Sequence, residues 1–235
     1  MKKLSNKLKY TVLILPFALI FIQNVQSLDI TGIEAQACYR GMYTRGNDFL
    51  NELSAIGSLE LAEKLSFKGG FSAGRTIIDT EINTLLNTLY TPFTNIPLGI
   101  SVSYIYNGLP EYETHANSII PMISYNGKLA GISIGTNFRF TRFFRESAQY
   151  ESILSFYGYF NFVNAKFITI GIGAGNIRDF HARNLGAFSL DLNSEIRLDD
   201  NWRIINEIEF LQSGADGLTT TLYGMGFRTG VKYSW

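Results

Sequence analysis

From residue 30 to the end of the chain, apolar side chains recur at every second position in segment after segment. A period of two belongs to a β-strand with one apolar and one polar face. Residues 221–235 show it most fully: Tyr223, Met225, Phe227, Val231, Tyr233 and Trp235 alternate with Gly224, Gly226, Arg228, Gly230, Lys232 and Ser234. Nine further segments follow the same rule, over 30–43, 59–75, 98–106, 118–125, 128–144, 150–162, 166–177, 185–198 and 202–211. Pro121 marks the fourth of these as irregular, and Asn126-Gly127 after it predicts a two-residue hairpin turn. Two stretches depart from the rule. Residues 44–56 read as a polar loop, whereas Ile78, Ile82, Leu85, Leu86 and Leu89 recur at helical spacing between Asp79, a capping residue, and Pro92, a stop. The pattern predicts a short amphipathic helix over 77–91.

Strands about 10 residues long, greasy on one side and wet on the other, are what a membrane-spanning barrel needs. The predicted fold is therefore all-β, an antiparallel transmembrane β-barrel of about ten strands, an even number as in bacterial single-chain barrels. Counted back from the carboxyl end, the links at 199–201, 163–165 and 126–127 are short and fall on one side. Those at 212–219, 178–184, 107–117 and 44–56 are longer and fall on the other; the predicted helix breaks this alternation, and the 145–149 connection is short for its side.

The amino terminus reads as an address. Lys2, Lys3, Lys7 and Lys9 precede the apolar run of residues 11–22, and small or short residues at Val25 and Ser27 set a cleavage point between Ser27 and Leu28. A 12-residue apolar core is short for a spanning helix, so residues 1–27 are expected to be a signal peptide and 28–235 the barrel. Four of the 20 basic residues and none of the 20 acidic ones lie in that leader, so the remainder would carry 16 against 20 and be mildly acidic. Such a surface does not suit nucleic acid. Charged residues at 17% are few, and aromatic residues at 14% are many, for a soluble domain. Cys38 is the only cysteine and there are two histidines, which excludes an internal disulfide and an ordinary structural zinc site. No cofactor is expected.

The last seven residues resemble the carboxyl-terminal assembly signal of bacterial outer-membrane β-barrel proteins, in which a polar residue and a glycine precede two aromatic or apolar positions. Thr229, Gly230, Tyr233 and Trp235 fill those places. The resemblance implies a location in the outer membrane, contact with its lipid, and recognition of the last strand by the barrel-assembly machinery. It names no external ligand or host partner.

Inward positions on the predicted strands nearly balance Glu34, Glu60, Asp191, Glu195, Glu207 and Glu209 against Arg40, Lys64, Lys68, Arg139, Arg197, Arg203, Arg228 and Lys232. Charges in a confined space persist when paired, so a plugged or nearly closed lumen is expected, laced by salt bridges. Gly171, Gly173 and Gly175 fall on the inward face and make room there; they lack the spacing of a phosphate loop. Asp179 and His181, with Glu111 and Glu113, lie in predicted outer loops and could together activate water. This looks like the omptin proteases, ten-stranded barrels with an Asp-His pair and two aspartates in comparable loops, although here the acid pair is glutamate and the chain is shorter. The preferred function is a non-enzymatic surface or structural barrel or a narrow, porin-like channel. The alternatives are a barrel hydrolase using those four residues and a soluble periplasmic ligand-binding barrel.

Overall fold

The computed structural model describes residues 30–45, 49–61, 64–76, 80–93, 95–143, 147–183, 187–213 and 221–235. Nine strands come first: β1 (Ile30–Thr44), β2 (Phe49–Leu61), β3 (Leu65–Arg75), β4 (Thr80–Tyr90), β5 (Leu98–Leu109), β6 (Thr114–Asn126), β7 (Ala130–Arg142), β8 (Gln149–Asn164) and β9 (Ile168–Gly175). Two very short strands, β10 (Ile177–Arg178) and β11 (His181–Ala182), pair only with each other. The wall resumes with β12 (Ala187–Arg197), β13 (Trp202–Ser213) and β14 (Thr221–Ser234). Each wall strand is antiparallel to its neighbours, and β14 closes on β1 from Glu34↔Ser234 to Thr44↔Gly224. Closure leaves no sheet edge, the condition for carrying strands through a bilayer.

The barrel has 12 wall strands rather than ten, and of the predicted helix the described residues form β4, an extended strand. Within β4 the outward positions are Ile82, Thr84, Leu86, Thr88 and Tyr90, two of them threonine, while Leu85 and Leu89 point inward. Leucines on both faces produced the helical spacing. Residues 44–56, expected to be a loop, instead include most of β2, whose inward face holds the apolar Leu50 and Ile56 beside Glu52 and Ser54. The predicted strand over 59–75 is the second half of β2 and all of β3, folded back so that Leu61 faces Leu65. The link has an odd number of residues, so both strands present odd-numbered side chains outward and the alternation runs through the turn unbroken. Adding two strands keeps the count even and the chain ends on one rim.

The outer wall is apolar. Leu53 (66% exposed), Ile123 (63%), Phe138 and Phe227 stand clear of any protein contact that would bury them. So extensive an exposed apolar surface matches a hydrocarbon phase. Tyr90, Phe93, Tyr125, Phe160, Phe167, Trp202 and Trp235 are exposed on the rim that holds the chain ends, and Tyr43, Phe49, Tyr112 and Tyr150 toward the other. These are the two aromatic girdles of a membrane barrel. Among the described residues no helix is long and apolar enough to cross a membrane. The proposed leader, with Ser27 and Leu28, lies outside the described residues.

Candidate functional site

The connection between β9 and β12 turns inward. Asn176 starts the turn: its backbone N–H donates to Phe156 O at 3.0 Å, and its side chain accepts from Phe156 N at 2.8 Å and donates to Leu154 O at 2.7 Å. The chain then leaves the wall as the β10–β11 hairpin, with Asp179 at its tip in a left-handed conformation (φ 42°). Short polar side chains tolerate that region best among non-glycine residues.

The hairpin is amphipathic across the lumen. Ile177 and Phe180 pack against Ile56, Leu85, Ile105, Ile120 and Met122, contributed by β2, β4, β5 and β6. Phe180 is 2% exposed. That apolar seat explains the inward Ile56 of β2 and the inward Leu85 of β4. The charged side chains turn toward β1–β3 and β12–β14. Arg178 pairs with Asp191 at 2.5 Å and Glu207 at 2.8 Å. Asp179 pairs with Lys68 at 2.5 Å and Arg228 at 2.8 Å. Arg183 reaches Glu209 at 2.8 Å. Burial opposes ionisation of Asp179, but the Lys68 ammonium and the Arg228 guanidinium beside it outweigh burial and hold the carboxyl well below the usual carboxylate range.

His181 Nε2 lies 2.7 Å from Arg40 Nη1 and 3.3 Å from Glu52 Oε2. A guanidinium can only donate, so its contact casts Nε2 as acceptor. Arg40 is the hub of the layer, joined also to Glu52 at 3.2 Å and Glu209 at 2.5 Å.

The wall register shows why the hairpin is needed. Asp191 on β12 stands directly opposite Glu209 on β13, and Arg40 on β1 directly opposite Arg228 on β14. Like charges in direct cross-strand register are destabilising. The hairpin separates each pair: Arg178 takes Asp191 and Arg183 takes Glu209, while Asp179 draws Arg228 away from Arg40. The inward glycines expected to make room do so at Gly173, where a Cβ would sit 2.4 Å from Tyr157 Oη and 2.6 Å from the Asp191 carboxylate.

The hairpin divides the lumen into two chambers. One of about 490 Å³ opens on the side away from the chain ends and is lined by Glu81, His115, Arg139 and Glu151, with His181 and Arg183 as its floor. The other, about 400 Å³, lies on the side of the chain ends among Asn87, Ser101, Ser103, Ser124 and Ser133, under Arg178 and Asp179. Between them the Arg40–Glu52–Arg228 layer encloses only about 20 Å³.

The four residues weighed for hydrolysis are not brought together. Glu111 and Glu113 are exposed at a short 3-10 turn on the rim, Pro110–Tyr112 and the residue after it, whereas Asp179 and His181 are held inside the lumen by cations. Among the described residues no group of three or more His, Cys, Asp or Glu side chains is placed to hold a metal ion. Reading the sequence as strands and loops passed over Glu52, Arg178, Phe180 and Arg183 as site residues. The available signal was a local imbalance: β12 and β13 present four inward acids against two inward arginines, Arg197 and Arg203, and the adjacent linker carries two more arginines.

No family model matches the chain, and no curated protein matches it in sequence. Solved structures do. The chain superposes on the KdgM porin with a TM-score of 0.56 at 12% identity, over 85% of this chain and 99% of that one. It superposes on the NanC porin with a TM-score of 0.56 at 10% identity, over 86% and 98%. The fold is that of an outer-membrane β-barrel. At this identity the likeness concerns the path of the backbone, and the inner hairpin's chemistry is read from this chain's own residues.

Proposed function

We propose that the protein is an integral outer-membrane barrel whose lumen is a narrow channel for small polar solutes, constricted by the β10–β11 hairpin. The observation that carries this reading is the pair of polar chambers, one reaching each rim, that meet at a single layer of side chains. A barrel built only as a scaffold has no need of two solvent-sized chambers aligned through its core. The fold shared with two proteins named as porins supports the same reading. The apolar outer wall weighs against a soluble periplasmic barrel, and the separation of Glu111 and Glu113 from Asp179 and His181 weighs against a hydrolase.

Planar-bilayer recording of the purified protein is the test. Small, discrete conductance steps are expected. A bilayer that stays silent at every voltage, both for the native chain and for a variant with residues 177–182 replaced by a short Gly-Ser link, would make the barrel a surface or structural protein.

Insertion is proposed to follow from residues 1–27 as a cleaved signal and from the last strand as the contact for the barrel-assembly machinery. Thr229 and Gly230 sit in the β1–β14 seam opposite Tyr39 and Cys38, Tyr233 packs edge-on against Trp235 at 4.5 Å, and the Trp235 N–H donates to Ile33 O at 3.0 Å. The Trp235 ring itself remains exposed and free to meet a partner or lipid. Trp235→Ser is expected to leave export intact and lower the amount of heat-modifiable barrel in the outer membrane several-fold. Normal outer-membrane levels of that variant would remove the role given to the terminal aromatic.

A further inference from the structure

We propose that the β10–β11 hairpin is a displaceable gate and that the wall layer it uncovers passes cations in preference to anions. This rests on the channel reading and adds the moving part and the charge it selects.

The hairpin has the construction of an element that can leave. Its backbone takes no part in the barrel ladder: the two strands pair only as Ile177↔Ala182 and Arg178↔His181. Beyond Asn176, its backbone is tied to the wall by the Asn107 side chain, which donates to Phe180 O at 2.8 Å. The remaining ties are the Phe180 seat, the hydrogen bond from Arg40 to His181 and the ion pairs of Arg178, Asp179 and Arg183. Cys38 is the only free cysteine and no disulfide fixes the segment. Its removal therefore breaks no strand pairing, and chambers on both sides offer water to the side chains released.

Selectivity follows from what stays behind. The wall groups that hold the hairpin are four carboxylates, Glu52, Asp191, Glu207 and Glu209, against three cations, Arg40, Lys68 and Arg228. The hairpin carries Arg178 and Asp179 and is followed directly by Arg183, so together they neutralise the layer while seated. Without it, Asp191 and Glu209 face each other in register with one guanidinium, Arg40, still on Glu209. A layer left with one net negative charge, centred on the unpaired Asp191, at the narrowest level of a pore attracts cations and repels anions.

Two readouts test the gate separately from the channel. Phe180→Ala removes the seat and leaves every charge in place. In planar bilayers under a salt gradient its open time is expected to rise at least about ten-fold over the native chain, since removing a buried phenylalanine has a large cost. Its reversal potential is expected to lie on the cation side. Independently of current, an Ile105→Cys reporter in a Cys38→Ser background keeps Phe180 in place and, fully buried beneath the seat, is expected to react slowly with a cationic thiol reagent. The same reporter should react at least about ten-fold faster once Arg178→Gln and Arg183→Gln remove two charge-assisted contacts. All variants are first shown to be folded by heat-modifiable migration. An anion-side reversal potential overturns the selectivity. Equal thiol rates in folded variants, with unchanged open time, overturn the gate and leave the channel reading standing. A thiol that becomes reactive while no current passes overturns the channel reading and the selectivity together.

Discussion

Gly135→Val is expected to abolish the heat-modifiable barrel, or to cost about 3 kcal/mol or more in urea unfolding where some barrel still forms. The reason lies in Pro121. Proline in mid-strand has no N–H to give its neighbour. The pairing of β6 with β7 passes from Ile119↔Phe138 directly to Met122↔Gly135, skipping Ile120 and Pro121. There the two backbones approach so closely that a Cβ on Gly135 would stand 2.0 Å from Pro121 O, 2.8 Å from Met122 Cγ and 2.9 Å from Met122 Cα. A carbonyl fixed in a closed wall cannot swing aside as a flexible side chain would, so the strands must part. Gly57→Ala is the matched control. Its added methyl would have nothing nearer than Glu34 O at 3.9 Å, and a change within about 0.5 kcal/mol is expected. Equal stability of the two variants would show that the close approach at Pro121 is not structural.

Arg40→Met is the second large effect, expected to lower stability by about 3 kcal/mol, the lower end for removing one partner of a buried ion pair. The lower end applies because the chambers bring water near the layer. Arg40 alone joins β1, β2, β13 and the hairpin through Glu52, Glu209 and His181. Methionine keeps much of the volume and removes every donor, leaving Glu52 without its guanidinium and Glu209 with Arg183 only. Adding Glu52→Gln and Glu209→Gln should recover at least half of the loss, because the cost comes from stranded charge rather than from lost packing. Urea unfolding of the single and triple variants checks this. A triple variant weaker than Arg40→Met would mean that the two carboxylates stabilise the barrel through other contacts.

Much of the wall was legible along the chain. Where a strand faces lipid on one side and water or paired charge on the other, alternation is enforced position by position, as in β14 and β12. It failed where the inner side also carries apolar side chains. Leu50, Ile56, Leu85 and Leu89 break the pattern of β2 and β4; Ile56 and Leu85 pack against the hairpin. A residue some 90 positions away thus blurred the period in β4, and nothing local to 80–90 could reveal it. The turn between β2 and β3 was hidden for a different reason, an odd-length link that preserves parity. Among the candidate residues, Asp179 and His181 were visible as unusual chemistry on a linker, and only the excess of inward acid on β12 and β13 beside its two arginines pointed to the linker folding inward.

By itself the sequence determined that this chain is a membrane barrel with a charged, nearly balanced lumen closed by its last strand. Those properties are periodic, and a period is carried by each strand alone. Only the tertiary structure decided that the strands number 12, that Asp191 faces Glu209 and Arg40 faces Arg228, and that Arg178, Asp179 and Arg183 come between them. Register and closure bring together side chains far apart along the chain, and the energy of a charge depends on which charges stand beside it rather than on its place in the sequence.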